Sequence, residues 1–210
     1  MSRNLKKVKM VVNVRTHDDL RVLLRNRASG NWVVGVDTEP SITKVRVFNW
    51  DCDQVLQGDF NRTRSRRDVD RKLIIGISKC RIENFRAYKS WFEIFGQARV
   101  AYTPYVPIQK QNDSVIGILR NSPFGEMNQN EIDEFFKRLK AEIQLRGLNK
   151  IVFKAGGIPI PDFFRQWCQD NNVIIEVLSE EEMDRQYPID NDILWEEDLF
   201  NYDQQIDIRD

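Results

Sequence analysis

Three short runs decide the fold: Ser114-Val115-Ile116-Gly117-Ile118-Leu119, Lys150-Ile151-Val152-Phe153-Lys154 and Val173-Ile174-Ile175-Glu176-Val177-Leu178. Each is apolar and of strand length, and an amphipathic helical pattern separates each from the next. After the first run, Asn128 with Glu131 three residues later predicts a capping-box helix start. Ile132, Phe135, Phe136, Leu139 and Ile143 then recur at helical spacing, and Gly147 stops the helix. After the second run, Pro161 suits the first turn of a helix carrying Phe163, Phe164, Trp167 and Cys168, with Asn171 and Asn172 at its end. Ser179 with Glu182 is a second capping box. Helical crossovers between short apolar strands imply parallel pairing, so the C-terminal half reads as a Rossmann-like β-α-β-α-β unit.

Working outward, Pro104, Pro107 and the polar run Gln109-Lys110-Gln111-Asn112-Asp113 mark a boundary. The residues before it are β-rich after an early β-α-β element. Lys9 to Val14 reads as a strand. Thr16 is the expected cap of a helix from Asp18 to Ala28, with Leu20, Leu23 and Leu24 inward and Gly30 ending it. Strands are expected at 31–37, 43–50, 54–60, 72–77 and 98–103, with Trp50-Asp51-Cys52-Asp53 as a hairpin turn. In Thr43–Trp50, Val45 and Val47 alternate with Lys44 and Arg46, which predicts a basic outer face. Phe85, Tyr88, Trp91, Phe92 and Phe95 fit a short helix with an aromatic stripe. The expected class is α/β, α+β overall. It comprises a β-rich part over 1–107 (a mixed sheet or partial barrel), a β-α-β-α-β part over 108–178 and an acidic tail over 179–210.

Composition excludes several classes. Hydrophobic residues make up 41% and charged residues 30% of the 210, a globular mixture. No apolar run reaches the roughly 20 residues of a spanning helix, and no secretory leader is read in the basic start. Cys52, Cys80 and Cys168 are too scattered for a disulfide framework, so a reducing, cytoplasmic setting is expected. His17, the only histidine, is expected at the surface beside the helix start. The net charge of zero hides a separation. Residues 179–210 hold twelve acidic and two basic side chains, so that segment is −10 and the rest of the chain +10.

Three groups of residues are candidates for chemistry. The loops at the carboxyl ends of the three C-terminal strands bring Arg120, Ser122, Lys154, Gly156 and Gly157 into reach of an anionic ligand. The run from Asn61 to Lys72 places Arg62, Arg64, Arg66 and Arg67 among hydroxyls. With Lys44, Arg46 and the hairpin-edge Trp50 it could form a track for phosphates and bases. Gly35-Val36-Asp37-Thr38-Glu39-Pro40 sets two carboxylates two residues apart at a strand end. That stretch resembles the first motif of ribonuclease D-like 3′–5′ exonucleases, a resemblance covering about thirty residues. It implies a metal-dependent nuclease in which Asp37 and Glu39 hold magnesium or manganese. The later Tyr-x-x-x-Asp and His-x-x-x-x-Asp elements of that family do not occur.

The expectation is therefore a non-enzymatic nucleic-acid-binding protein without cofactor or resident metal. The alternatives are a protein-interaction adaptor acting through residues 179–210, with Trp195 and Phe200 as anchors, and the nuclease. No membrane partner is expected.

Overall fold

The computed structural model describes residues 8–85, 89–120, 127–157 and 159–188. It is a mixed α/β protein with two compact units, Met1–Tyr105 with Pro123–Gly147, and Val106–Ser122 with Leu148–Asp210.

The first unit contains β1 (Met10–Arg15), α1 (Leu20–Asn26), β2 (Ala28–Trp32), β3 (Ile42–Phe48), β4 (Gln54–Phe60), β5 (Arg66–Arg67), β6 (Leu73–Asn84), α2 (Trp91–Phe95) and β7 (Val100–Pro104). Its strands form a curled half-barrel in the order β2-β6-β4-β3-β1-β7, with β5 paired on β6. β1 and β3 are parallel, joined through α1 and β2, and the other pairings are antiparallel. Alternation along the strands sends Val12, Val14, Val45, Val47 and Leu56 to one face, where Leu20 and Leu23 of α1 complete an apolar core.

The opposite face is also covered. α3 (Gln129–Arg146) contacts β7 and α2, and Leu145 joins Phe48, Val55, Trp91 and Ala101 in a second core. α3 is built as its sequence demands. The Asn128 side chain accepts from the Glu131 backbone N–H while Glu131 reaches back to the Asn128 N–H, and Gly147 closes the helix at φ 64°.

Local boundaries depart from the sequence in instructive ways. The helix cap is Asp19, whose carboxylate accepts from the Arg21 N–H, and Thr16 instead donates its hydroxyl to Asp18. Arg27, not Gly30, ends α1 in the left-handed region at φ 50°. Residues 33–37 are not strand. β6 runs on to Asn84 and Phe85 is not helical, so of the expected stripe the helix holds only Trp91, Phe92 and Phe95. Tyr88 of the expected stripe lies outside the described residues.

The second unit contains β8 (Ile108–Gln111), β9 (Ser114–Leu119), β10 (Lys150–Lys154), α4 (Asp162–Asp170), β11 (Ile174–Leu178) and α5 (Glu180–Gln186). Its sheet has the order β11-β10-β9-β8. β9, β10 and β11 are parallel as expected, but β8 forms an antiparallel hairpin with β9, so the sheet is mixed. The polar run taken for a boundary supplies that strand. A hairpin strand at a sheet edge needs no apolar face, and Lys110 and Gln111 are exposed. Among the described residues no helix is long and apolar enough to cross a membrane.

Candidate nucleic-acid interface

The cations singled out from sequence divide sharply in their surroundings. Lys44 lies opposite Asp59 on β4 and pairs with it. Arg46 does not face outward, which corrects the basic outer face inferred from alternation. It is 2% exposed and donates from Nη1 and Nη2 to the two Glu142 carboxylate oxygens of α3, each at 3.0 Å. Alternation separates Arg46 from Val45 correctly, but α3 covers the side that Arg46 occupies.

Glu142 is fully buried and also accepts from Arg146 at 3.3 Å. Burial raises its carboxyl pKa, but the two guanidiniums and a Thr103 hydrogen bond outweigh that, and the net shift is downward. Arg146 is pushed down to about 9, by burial first and by Arg46 second. Two guanidiniums thus share one carboxylate beneath the sheet. Asn13 donates from Nδ2 to the Thr103 hydroxyl at 2.9 Å, extending this polar layer. This cluster ties α3 to the sheet and leaves almost no surface to offer a polyanion.

Arg62 and Arg67 are engaged as well. Arg62 donates to the carbonyls of Glu39, Pro40 and Ile42 at 3.3, 2.8 and 3.2 Å. Arg67 donates to the Val34 and Arg71 carbonyls and pairs with Glu39 at 2.5 Å. These bonds stitch the loop before β3 to the loop before β6. Residues 39–41 form a 3-10 turn, so Asp37 and Glu39 do not project from a strand end as the exonuclease resemblance required. Among the described residues no three His, Cys, Asp or Glu side chains converge to hold a metal ion.

Arg64 and Arg66 are exposed. The Cβ of Arg64 sits directly over Gly76, where a Cβ added to the glycine would lie 2.5 Å away. The next residue, Ile77, donates its N–H to the Arg27 carbonyl at 2.8 Å. β6 therefore runs between the Arg27 backbone, on its β2 side, and the 61–65 loop that carries Arg64, on its β4 and β5 side. Cys80 lies within reach of both charges. Burial raises its thiol pKa, and Arg27 and Arg64 each oppose that rise. Arg21 and Arg25 on α1, and Lys79 at a left-handed position in β6, are exposed too. Among the described residues no salt bridge engages Arg21, Arg25, Arg27, Arg64, Arg66 or Lys79, and none of their side chains donates a hydrogen bond. Sequence reasoning missed Arg21, Arg25, Arg27 and Lys79. The available signal was the spacing of Arg21 and Arg25 away from Leu20, Leu23 and Leu24, which marks the solvent side of α1.

Trp50 is 36% exposed at the β3–β4 turn. The His17 ring stacks on it with centroids 3.7 Å apart, and the Arg15 guanidinium lies 4.1 Å from its centroid. Two groups this close to one ring cannot share a face without overlapping, so the indole is sandwiched. Arg15 also donates from Nε and Nη2 to the Trp50 carbonyl at 2.7 and 2.5 Å, and Arg99 stands 5.7 Å from the ring.

In the second unit, α5 meets the cations at the strand ends. Lys154 pairs with Glu180 at 2.6 Å. Arg120 pairs with Asp184 and donates to the Met183 and Tyr187 carbonyls, closing the C-terminal end of α5. Gly156 is at φ 74° with open space where a Cβ would be, and Gly157 donates its N–H to the Lys154 carbonyl. Ser122 lies outside the described residues, as does the tail from residue 189, with Trp195 and Phe200.

No protein family, no curated protein and no solved structure matches this chain.

Proposed function

We propose that the first unit is a sequence-tolerant nucleic-acid-binding module that contacts phosphates through Arg21, Arg25, Arg27, Arg64, Arg66 and Lys79. The exposure of Arg27 and Arg64 on the two sides of β6 at Gly76–Ile77, with no ion pair to either among the described residues, carries this reading. Guanidiniums with no partner among the described residues keep their donors for phosphate oxygens, whereas Lys44, Arg46, Arg62 and Arg67 are already matched to carboxylates or carbonyls. Contacts of this kind fix a backbone without reading bases, so affinity falls steeply with salt.

The test is fluorescence anisotropy of labelled DNA and RNA with the full chain and with an Arg27→Glu/Arg64→Glu variant. Binding by the wild type that drops at least about tenfold in the variant supports the reading; each lost phosphate contact with its charge reversal is amply large enough for that. Equal affinity of the two proteins, or none in the wild type, rejects it.

A further inference from the structure

Resting on that reading, we infer that the site takes single-stranded nucleic acid, with one base stacked on His17 at the end of the arginine track. α1 links the two features. It begins three residues after His17 and ends at Arg27, whose carbonyl is held by Ile77. Arg21 and Arg25 stand one helical turn apart on its solvent side. His17, Arg21, Arg25 and Arg27 therefore follow one another along α1 and the residues at its two ends, over the roughly 10 Å that the helix spans.

The aromatic end is already assembled. Arg15 fills one face of Trp50 and His17 the other, so the exposed continuation of the stack is the outer face of the imidazole. A flat ring held in place by an indole offers a base a partner at small entropic cost. Arg99 beside the stack adds positive charge for the adjoining phosphate. Asp18 and Asp19 also lie between His17 and α1. Asp18 accepts from the Thr16 hydroxyl and Asp19 caps the helix, so both carboxylates are engaged in the local fold.

The strand preference follows from stacking. Bases in a duplex already stack on one another and present no free face to a side chain, whereas an unpaired base does. The same phosphates are available in both forms, so the arginines alone favour neither.

The experiment measures anisotropy with a labelled oligonucleotide of about 12 nucleotides, within the range that single-strand sites span. It is offered alone and as a duplex, to the wild type, His17→Ala and Trp50→Phe. The wild type is expected to bind the single strand about tenfold tighter than the duplex. His17→Ala is expected to lose about fivefold for the single strand and less than about twofold for the duplex. Quenching of tryptophan emission by the single strand should diminish in Trp50→Phe, which keeps a ring in the sandwich. Equal wild-type affinity for both forms, or an unchanged single-strand affinity in His17→Ala, overturns the inference while leaving the phosphate-binding reading standing. Absence of binding to either form overturns both.

Discussion

Arg46 and Glu142 meet through two parallel N–H···O bonds of 3.0 Å, although 96 residues separate them in sequence. The fork-to-fork geometry fixes both the position and the rotation of α3 against β3. It also removes Arg46 from the surface, so the cations open to a polyanion are the exposed ones on α1 and around β6.

Removing the shared carboxylate leaves two buried guanidiniums facing one another. Glu142→Gln is expected to lower folding stability by about 3–5 kcal/mol, the usual cost of breaking a buried pair from one side. Replacing Arg46 and Glu142 together by apolar residues should cost less than Glu142→Gln alone. Denaturant unfolding of the three proteins gives the comparison, and a double variant as damaged as the single one would contradict it.

The same carboxylate makes stability acid-dependent. Its pKa is lowered on folding, so its contribution is present in full above the ordinary value of 4.5 and is lost as pH falls through the depressed folded value. Unfolding midpoints taken downward from pH 7 should fall in the wild type once this range is entered. The Glu142→Gln variant should start lower and decline less over the same range.

Gly76 is fixed by close approach, not by a turn. A Cβ there would stand 2.5 Å from the Arg64 Cβ and 2.8 Å from its backbone carbon and from the Asn61 carbonyl oxygen. Gly76→Ala must displace the 61–65 loop and is expected to cost on the order of 1–3 kcal/mol, as overpacking does. Because Arg64 moves with that loop, nucleic-acid affinity should fall in the same variant. Lys44→Ala, by contrast, removes a cation already paired with Asp59 and should change affinity by less than about twofold, as a partly buried internal pair offers phosphates little.

Much of this fold was legible because short apolar strands and capped helices announce themselves locally. β4, β9 and β10 have the bounds that alternation and apolar runs indicate, and both capping boxes and the Gly147 terminus form as their residues require. What local pattern could not reveal was which surfaces become covered. Lys44 and Arg46 look alike on β3, yet only Arg46 lies under α3. Arg62 and Arg67 resemble their neighbours Arg64 and Arg66, yet two loops brought together by folding supply carbonyls and Glu39 to the first pair alone. The extension of β6 to Asn84 depends on pairing with β4, and the β8 strand on its hairpin with β9. That Arg27 and the Arg64 loop flank the same stretch of β6 is likewise a property of strand pairing and not of any continuous motif.

The salt dependence of nucleic-acid binding tests the phosphate contacts most directly. The slope of log Kd against log salt should be steep in the wild type, reflecting several released counterions. It should be shallower in Arg27→Glu/Arg64→Glu by about 1.4 to 1.8, since two phosphate contacts are lost. A wild-type slope near zero, or the same slope in both proteins, would contradict the claim that these arginines hold phosphates.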